Sequence, residues 1–286
     1  MQDANENVKR PALYIIASPI GNLSDLSYRA ESTLRILDCV LAEDTKKTKV
    51  LLNHYNIVTP VRHYFEQDSK DKANEYVKKI KKNEAAWGLI TDAGTPLVSD
   101  PGYRLVKECV ANDIEIISIP GASAVMTCLA LSDIPVDKFV FEGFLPTRSA
   151  ARERRLRNLV DEERTIVFFE APHRIVDFLE SLINVVGASR KVVIGREMTK
   201  YFETIYRGSL EQLLIKFKNS VVERKGEFTI LLAGNEDKKS KNDKAISQVI
   251  EVVRDEVDSK TAVRLISKLT GLPRNVAYKK FLEQNS

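Results

Sequence analysis

The chain is poor in cysteine and histidine. Cys39, Cys109 and Cys128 are its three cysteines in 286 residues, odd in number, widely spaced and set among apolar neighbours. That excludes a disulfide framework and a Cys-x-x-Cys metal or redox site, and it marks all three as core residues. His54, His63 and His173 show no pairing at metal-ligand spacing, so no metal is expected. Neither G-x-G-x-x-G nor a P-loop occurs, which moves NAD and ATP down the order of expected ligands. Long apolar runs are missing as well. The longest charge-free stretch, Ile116 to Ser132, is broken by Pro120-Gly121 and falls short of the roughly 20 residues needed to span a bilayer. Met1 to Arg10 is polar and has no apolar centre, so neither a signal peptide nor an anchor is expected, and the cytoplasm is the default location.

What remains is the composition of an ordinary soluble protein, 43% apolar and 29% charged, long enough for two domains. A net charge of +4 permits a polyanionic partner without requiring one.

The most informative stretch runs from Thr91 to Gly102, where two Gly, two Pro and five short polar residues separate a strand (Trp87 to Ile90) from a helix (Tyr103 to Asn112). A second strand, Ile114 to Ile119, completes a parallel βαβ unit, and ligands bind such units at the carboxyl ends of the strands. The loop is therefore expected to offer free backbone N–H groups and close approach at Gly94. Pro120 to Ala124 follows the next strand in the equivalent place, and Ser18 to Asp25 follows the first strand, Leu13 to Ala17. Three turn-rich loops on neighbouring strand ends point to a shared crevice.

The α/β alternation divides the chain into a disordered N-terminus over residues 1–12, a first α/β domain over 13–133, a second over 134–236, and a linker with a small helical module over 237–286. The polar, proline-containing segment Asp133 to Lys138 sets the boundary between the α/β domains. Strands are expected at Phe139 to Glu142, Thr165 to Phe169, Lys191 to Ile194, Glu203 to Arg207 and Phe228 to Leu232; their close succession suggests a mixed sheet. Asn235 to Lys244 has no apolar residue and reads as a linker, followed by three helices with Gly271 ending the second.

Several segments carry chemistry. Ala42 to Thr48 places charged residues directly after a strand, where Asp44 or Thr45 can equally cap a helix. Glu170, His173 and Arg174 gather three chemistries at one strand end, and Arg196 to Lys200 repeats the pattern one strand later. Arg148, Arg152, Arg154, Arg155 and Arg157 stand against a single Glu153, the local footprint of phosphate recognition, and the tail adds Arg264, Lys268, Arg274, Lys279 and Lys280.

From Leu13 to Gly234 these motifs, in order, resemble the ribosomal RNA small-subunit methyltransferase I family: Ser18 to Leu23 with Asp25 and Arg29-Ala30, Ala42 to Thr45, Thr91 to Gly102, Pro120 to Ala124, Phe169 to Arg174 and Arg196 to Lys200. The resemblance implies two α/β domains of tetrapyrrole-methylase type with a cofactor cleft between them, plus a small C-terminal helical module. It also implies S-adenosylmethionine as cofactor and transfer of its methyl group to the ribose 2′-hydroxyl of a cytidine at the decoding centre of 16S ribosomal RNA. The expected partners are the small ribosomal subunit and a second copy of the chain, with no membrane. On this basis Pro19, Asp92, Ala93, Gly94, Val98, Ser123, Pro172, Ala233 and Gly234 are assigned to the cofactor. Glu170, His173 and Lys200 become the catalytic candidates. Arg148, Arg152, Arg154, Arg155, Arg157, Lys46 and Arg274 are assigned to RNA; Lys46 stands where the family commonly has Arg. Two other readings keep part of this picture: a corrin or porphyrin methylase, and a noncatalytic RNA-binding protein.

Overall fold

The computed structural model describes residues 8–65, 70–220, 223–235, 246–253 and 257–283. Its first half alternates five strands with helices: β1 (Ala12–Ile16), α1 (Tyr28–Ile36), β2 (Cys39–Ala42), α2 (Thr45–His54), β3 (Val61–His63), α3 (Lys70–Lys82), β4 (Ala86–Ile90), α4 (Tyr103–Ala111), β5 (Glu115–Ile119) and α5 (Ala124–Ala130). The strands pair in the order β3-β2-β4-β1-β5, all parallel. Alternate residues of β1 feed opposite faces: Tyr14 and Ile16 pack with Leu34 and Leu52 from α1 and α2, while Leu13 and Ile15 pack with Ile80 and Leu105 from α3 and α4. Asp44 caps α2 by accepting from the backbone N–H groups of Lys46 and Lys47, so the capping reading of that segment holds.

The second half comprises β6 (Phe139–Phe144), α6 (Ser149–Arg157), β7 (Thr165–Glu170), α7 (Ile175–Val186), β8 (Lys191–Arg196), β9 (Thr204–Ser209), α8 (Leu210–Asn219) and β10 (Phe228–Leu232). Its sheet order is β6-β7-β10-β8-β9; β6 and β7 are parallel, and each later pairing is antiparallel. One face packs on α6, α7 and α8 through Leu156, Phe178, Leu182 and Phe217. The other is covered by α5, whose Val125, Cys128 and Leu129 meet Val167, Val193 and Leu231. The chain thus passes from the first core to the second ahead of α5, earlier than the polar segment Asp133 to Lys138. Polarity marked an exposed loop there, whereas the change of core is made by an apolar helix. Val8 packs on the first core and the Lys9 N–H donates to the Tyr14 hydroxyl, so residues 8–11 are docked where disorder was expected; residues 1–7 lie outside the described residues.

The tail forms its own core from Ile250, Val253, Ala262, Ile266, Ala277 and Phe281, on helices α9 (residues 246–253), α10 (Ser259–Thr270) and α11 (Arg274–Glu283). Gly271 ends α10 in the left-handed conformation at φ 73°. The expected linker falls largely on residues 236–245, outside the described residues. Among the described residues no helix is long and apolar enough to cross a membrane.

Candidate functional site

Because β4, β1 and β5 are neighbours in the sheet, the loops after them stand side by side at their carboxyl ends, as the three-loop reading required. With the second domain they enclose a cavity of about 710 Å³, within the range of small-molecule sites. Asp92, Ala93, Gly94, Val98 and Ser123 line it from the first half, and Phe144, Phe169, Glu170, Pro172, Met198 and Thr229 from the second.

The loop after β4 is clamped rather than open. Its Gly94 N–H donates to the Ser18 carbonyl at 3.1 Å, and the Ser18 N–H returns a bond to the Gly94 carbonyl at 2.9 Å. The Gly94 N–H, in a loop expected to offer free backbone donors, is spent on the neighbouring loop. Gly94 is required for its backbone conformation, φ +81°, since a Cβ there would meet Ile20 and Ala122 only at 3.4 and 3.7 Å. Leu97 and Ser99 also have positive φ, 75° and 65°. Such strain at non-glycine positions collects at ligand sites.

The two walls differ in chemistry. Glu43, Asp92 and Asp100 line the first-domain side, with Lys47 donating to Asp92 at 2.5 Å. Burial first, and the Glu43 carboxylate second, push Asp100 up to about 6. Burial and the nearby Asp92 raise Glu43 as well. Asp100 does not cap α4, whose N-cap is Gly102 without a side-chain bond; it accepts from the Thr91 hydroxyl at 3.4 Å. Opposite stands an aromatic wall in which Phe144 and Phe169 lie 5.5 Å apart. A register shift in β6 between Phe141 and Gly143 precedes Phe144.

A smaller cavity of about 270 Å³ adjoins the first; both are lined by Ile20, Lys47, Asp92, Ala93 and Glu227, and Pro19, Gly21, Thr48, Leu51 and Lys200 line the smaller one alone. Lys200 donates to Glu197 at 2.9 Å and to Glu227 at 2.8 Å. Burial alone would lower its pKa, but these two carboxylates outweigh burial and raise it, so Lys200 is held as an ammonium.

The profile of the Tetrapyrrole (Corrin/Porphyrin) Methylases matches residues 12–214. A protein of Haemophilus influenzae named ribosomal RNA small subunit methyltransferase I is 39% identical over 93% of this chain and 94% of its own. Another of that name, from Synechocystis, is also 39% identical, over 95% of this chain and 97% of its own. The chain belongs to the ribosomal RNA small-subunit methyltransferase I family. The fold agrees: the solved structure of a diphthine synthase superposes with a TM-score of 0.60 over 78% of this chain and 90% of its own, at 15% identity. The architecture is the expected pair of tetrapyrrole-methylase-type α/β domains followed by C-terminal helices.

Of the residues singled out in this methyltransferase-family sequence, several change place. Ala233 and Gly234 lie outside both cavities. β10 runs antiparallel to β7 and β8, so its first residues, with Glu227 just before them, meet the cavity while its last point away. Gly234 instead abuts the Glu163 backbone, which a Cβ would overlap. Glu227, Phe228 and Thr229, which no motif marks, line the cavity where Ala233 and Gly234 were expected. His173 is exposed and lines neither cavity. Glu170 lines the main cavity at 2% exposure, with its Oε1 3.1 Å from Arg174 Nε and accepting from the Ala171 N–H; burial raises its pKa.

Among the basic residues Arg152 requires correction. It is 5% exposed, and its Nε donates to Ser181 Oγ at 3.0 Å, so it braces α6 on α7 and offers no surface to a polyanion. Its position on the inner face of α6 beside Leu156 is what an arginine-rich spacing concealed. Arg155 is held by Glu142 through two bonds of 2.8 Å. Arg148, Arg154, Arg157, Lys46 and Arg274 are exposed.

Proposed function

We propose that this chain methylates the ribose 2′-hydroxyl of a cytidine in 16S ribosomal RNA at the decoding centre of the small subunit, using S-adenosylmethionine and acting as a homodimer. The observation that carries the reading is the two-walled cavity. Flat Phe144 and Phe169 faces suit a purine ring, and the acidic wall of Glu43, Asp92 and Asp100 suits a ligand bearing positive charge. The names of the relatives support RNA as the acceptor.

When bound, the cofactor supplies an electrophilic methyl group on a sulfonium. The protein's residues supply position and exclusion of water, an effect of proximity that reaches ~7–11 kcal/mol in well-oriented intramolecular reactions. Asp92 is steadied by Lys47, and the clamped Ser18–Gly94 backbone fixes the loop that carries it. Pro19 lines the side cavity, so its part is on the acceptor side. Glu170 is the candidate proton acceptor of the main cavity, its pKa raised and its Oε2 buried without a hydrogen-bond partner. Lys200 stays cationic and acts as a positive charge beside the acceptor. The exposed arginines of α6 and the basic tail form the RNA side.

A mass map of ribose methylation on small-subunit RNA from cells with and without the protein tests the reading. Loss of one 2′-O-methylcytidine is expected. An unchanged map, with transfer to a porphyrin precursor instead, refutes it.

A further inference from the structure

The turn joining β8 to β9 is braced by several hydrogen bonds, although it contributes little to the core beyond Met198. Glu197 and Thr199 have positive φ, 52° and 65°, at positions where neither residue is at ease. The strain is held by hydrogen bonds: Glu197 Oε1 accepts from Lys200 Nζ and from the Glu227 N–H, both at 2.9 Å, and the Thr199 N–H donates to Glu203 at 2.6 Å. The turn also reaches across to the first domain. Gly21 lies so close to Lys200 and Thr199 that any Cβ at Gly21 would overlap the lysine side chain.

This rigid turn presents two large aromatics to solvent. Tyr201 is 94% exposed and Phe202 65%, their rings 5.0 Å apart and at 88° to each other. Neither belongs to a hydrophobic cluster of the described residues. Single exposed apolar side chains need no explanation. An adjacent pair, fixed at a right angle on a strained and braced turn, is preorganised for contact. The two residues follow directly after Lys200, which lines the side cavity. Across that cavity α2 contributes Lys47, Thr48 and Leu51 to the lining, and carries Lys46 and Lys49 exposed beside them.

We infer that Tyr201 and Phe202 form a stacking platform for an unpaired base of the RNA, at the rim of the side cavity. A ring laid on one aromatic has the other at its edge, as a corner of 88° provides. The exposed lysines of α2 suit the flanking phosphates, whereas the side cavity itself is balanced in charge, because Lys47 and Lys200 line it together with Asp92 and Glu227. A neutral pocket with a flat aromatic rim and cations outside fits a nucleoside with its backbone along the rim. Two side chains are far too small a patch for a stable interface with another copy, which buries about 800 Å² per partner.

The inference rests on RNA being the substrate, and the test separates the two. The chain's one tryptophan, Trp87, is buried, so Tyr201→Trp adds a single exposed fluorophore. Its emission is expected to be quenched by a single-stranded oligoribonucleotide and not by a duplex of the same length. Tyr201→Ala and Phe202→Ala are each expected to raise the RNA concentration for half-maximal methyl transfer about tenfold or more, the ratio corresponding to ~1.4 kcal/mol of stacking. Tyr201→Trp is expected to retain the wild-type value. Cofactor affinity and the salt dependence of RNA binding stay unchanged, since no phosphate contact is removed. Equal quenching by duplex, or alanine variants with the wild-type RNA dependence, overturns the platform while leaving RNA methylation intact. Quenching that follows protein concentration without RNA also overturns it, by assigning the pair to contact between copies. If the wild-type protein methylates no RNA while the strand-selective quenching is seen, the methylation reading fails and the platform stands.

Discussion

Asp100 lines the acidic wall of the main cavity, and its burial there should cost the folded protein stability. Its carboxyl is pushed from 3.8 up to about 6, by burial first and then by Glu43. A rise of about two units corresponds to ~3 kcal/mol at 1.36 kcal/mol per unit. The side chain keeps substantial contact with solvent, so screening reduces the figure by about half, to ~1.5 kcal/mol. The sign follows from linkage: an acid whose folded pKa is raised binds its proton more tightly in the native state, so it destabilises that state above about pH 6, and the cost fades as pH falls towards 4. Asp100→Asn keeps an oxygen for the Thr91 hydroxyl, which donates to Asp100 at 3.4 Å, and removes the charge. Urea unfolding should show the variant more stable by ~1.5 kcal/mol near pH 8 and equal to the wild type near pH 4. Calorimetric titration near pH 8 should show weaker binding of S-adenosylmethionine, because one negative charge is gone from the acidic wall. A gain independent of pH, or a loss of stability near pH 8, would refute the electrostatic account of this wall.

Other perturbations separate roles that the sequence ran together. Gly94→Ala should cost about 1–2 kcal/mol from its positive φ alone and still bind cofactor, whereas Gly94→Val should displace the loop and abolish binding in a folded protein; calorimetry with a thermal melt checks both. Arg152→Glu should destabilise the fold by ~3–5 kcal/mol by placing a second carboxylate near buried Glu170, while Arg148→Glu with Arg154→Glu should leave stability unchanged and flatten the salt dependence of RNA binding. Gly234→Ala should unfold the end of the second sheet without selective loss of cofactor affinity, and a bulky residue at Thr229 should do the reverse, as parallel melts and titrations would show. Removal of the tail after Asp237 should leave cofactor affinity unchanged and raise the RNA concentration for half-maximal rate, because the tail's apolar residues pack into a core of their own.

The sequence by itself determined the element order, because strand and helix periods are local properties of neighbouring residues. The limits expected for Phe228 to Leu232 match the structure, Gly271 ends its helix as expected, and most other limits shift by a residue or two. It also pointed to the first-domain lining of the cavity: in an all-parallel sheet every strand's carboxyl end lies on one edge, and the strand order β4-β1-β5 then sets the loops at Ser18, Thr91 and Pro120 side by side. That inference failed where the second sheet turns antiparallel. There the carboxyl end of β10 points away, and the wall is built from Glu227 to Thr229 instead of Ala233 and Gly234. Which face of α6 turns inward was equally hidden, since five arginines look alike in sequence and only packing against Ser181 shows that Arg152 is interior. The raised pKa of Asp100 comes first from its burial in the folded wall and then from Glu43, 57 positions earlier in the chain. Pairing direction, helix rotation and the meeting of distant charges arise from long-range contact, and tertiary structure alone decided them.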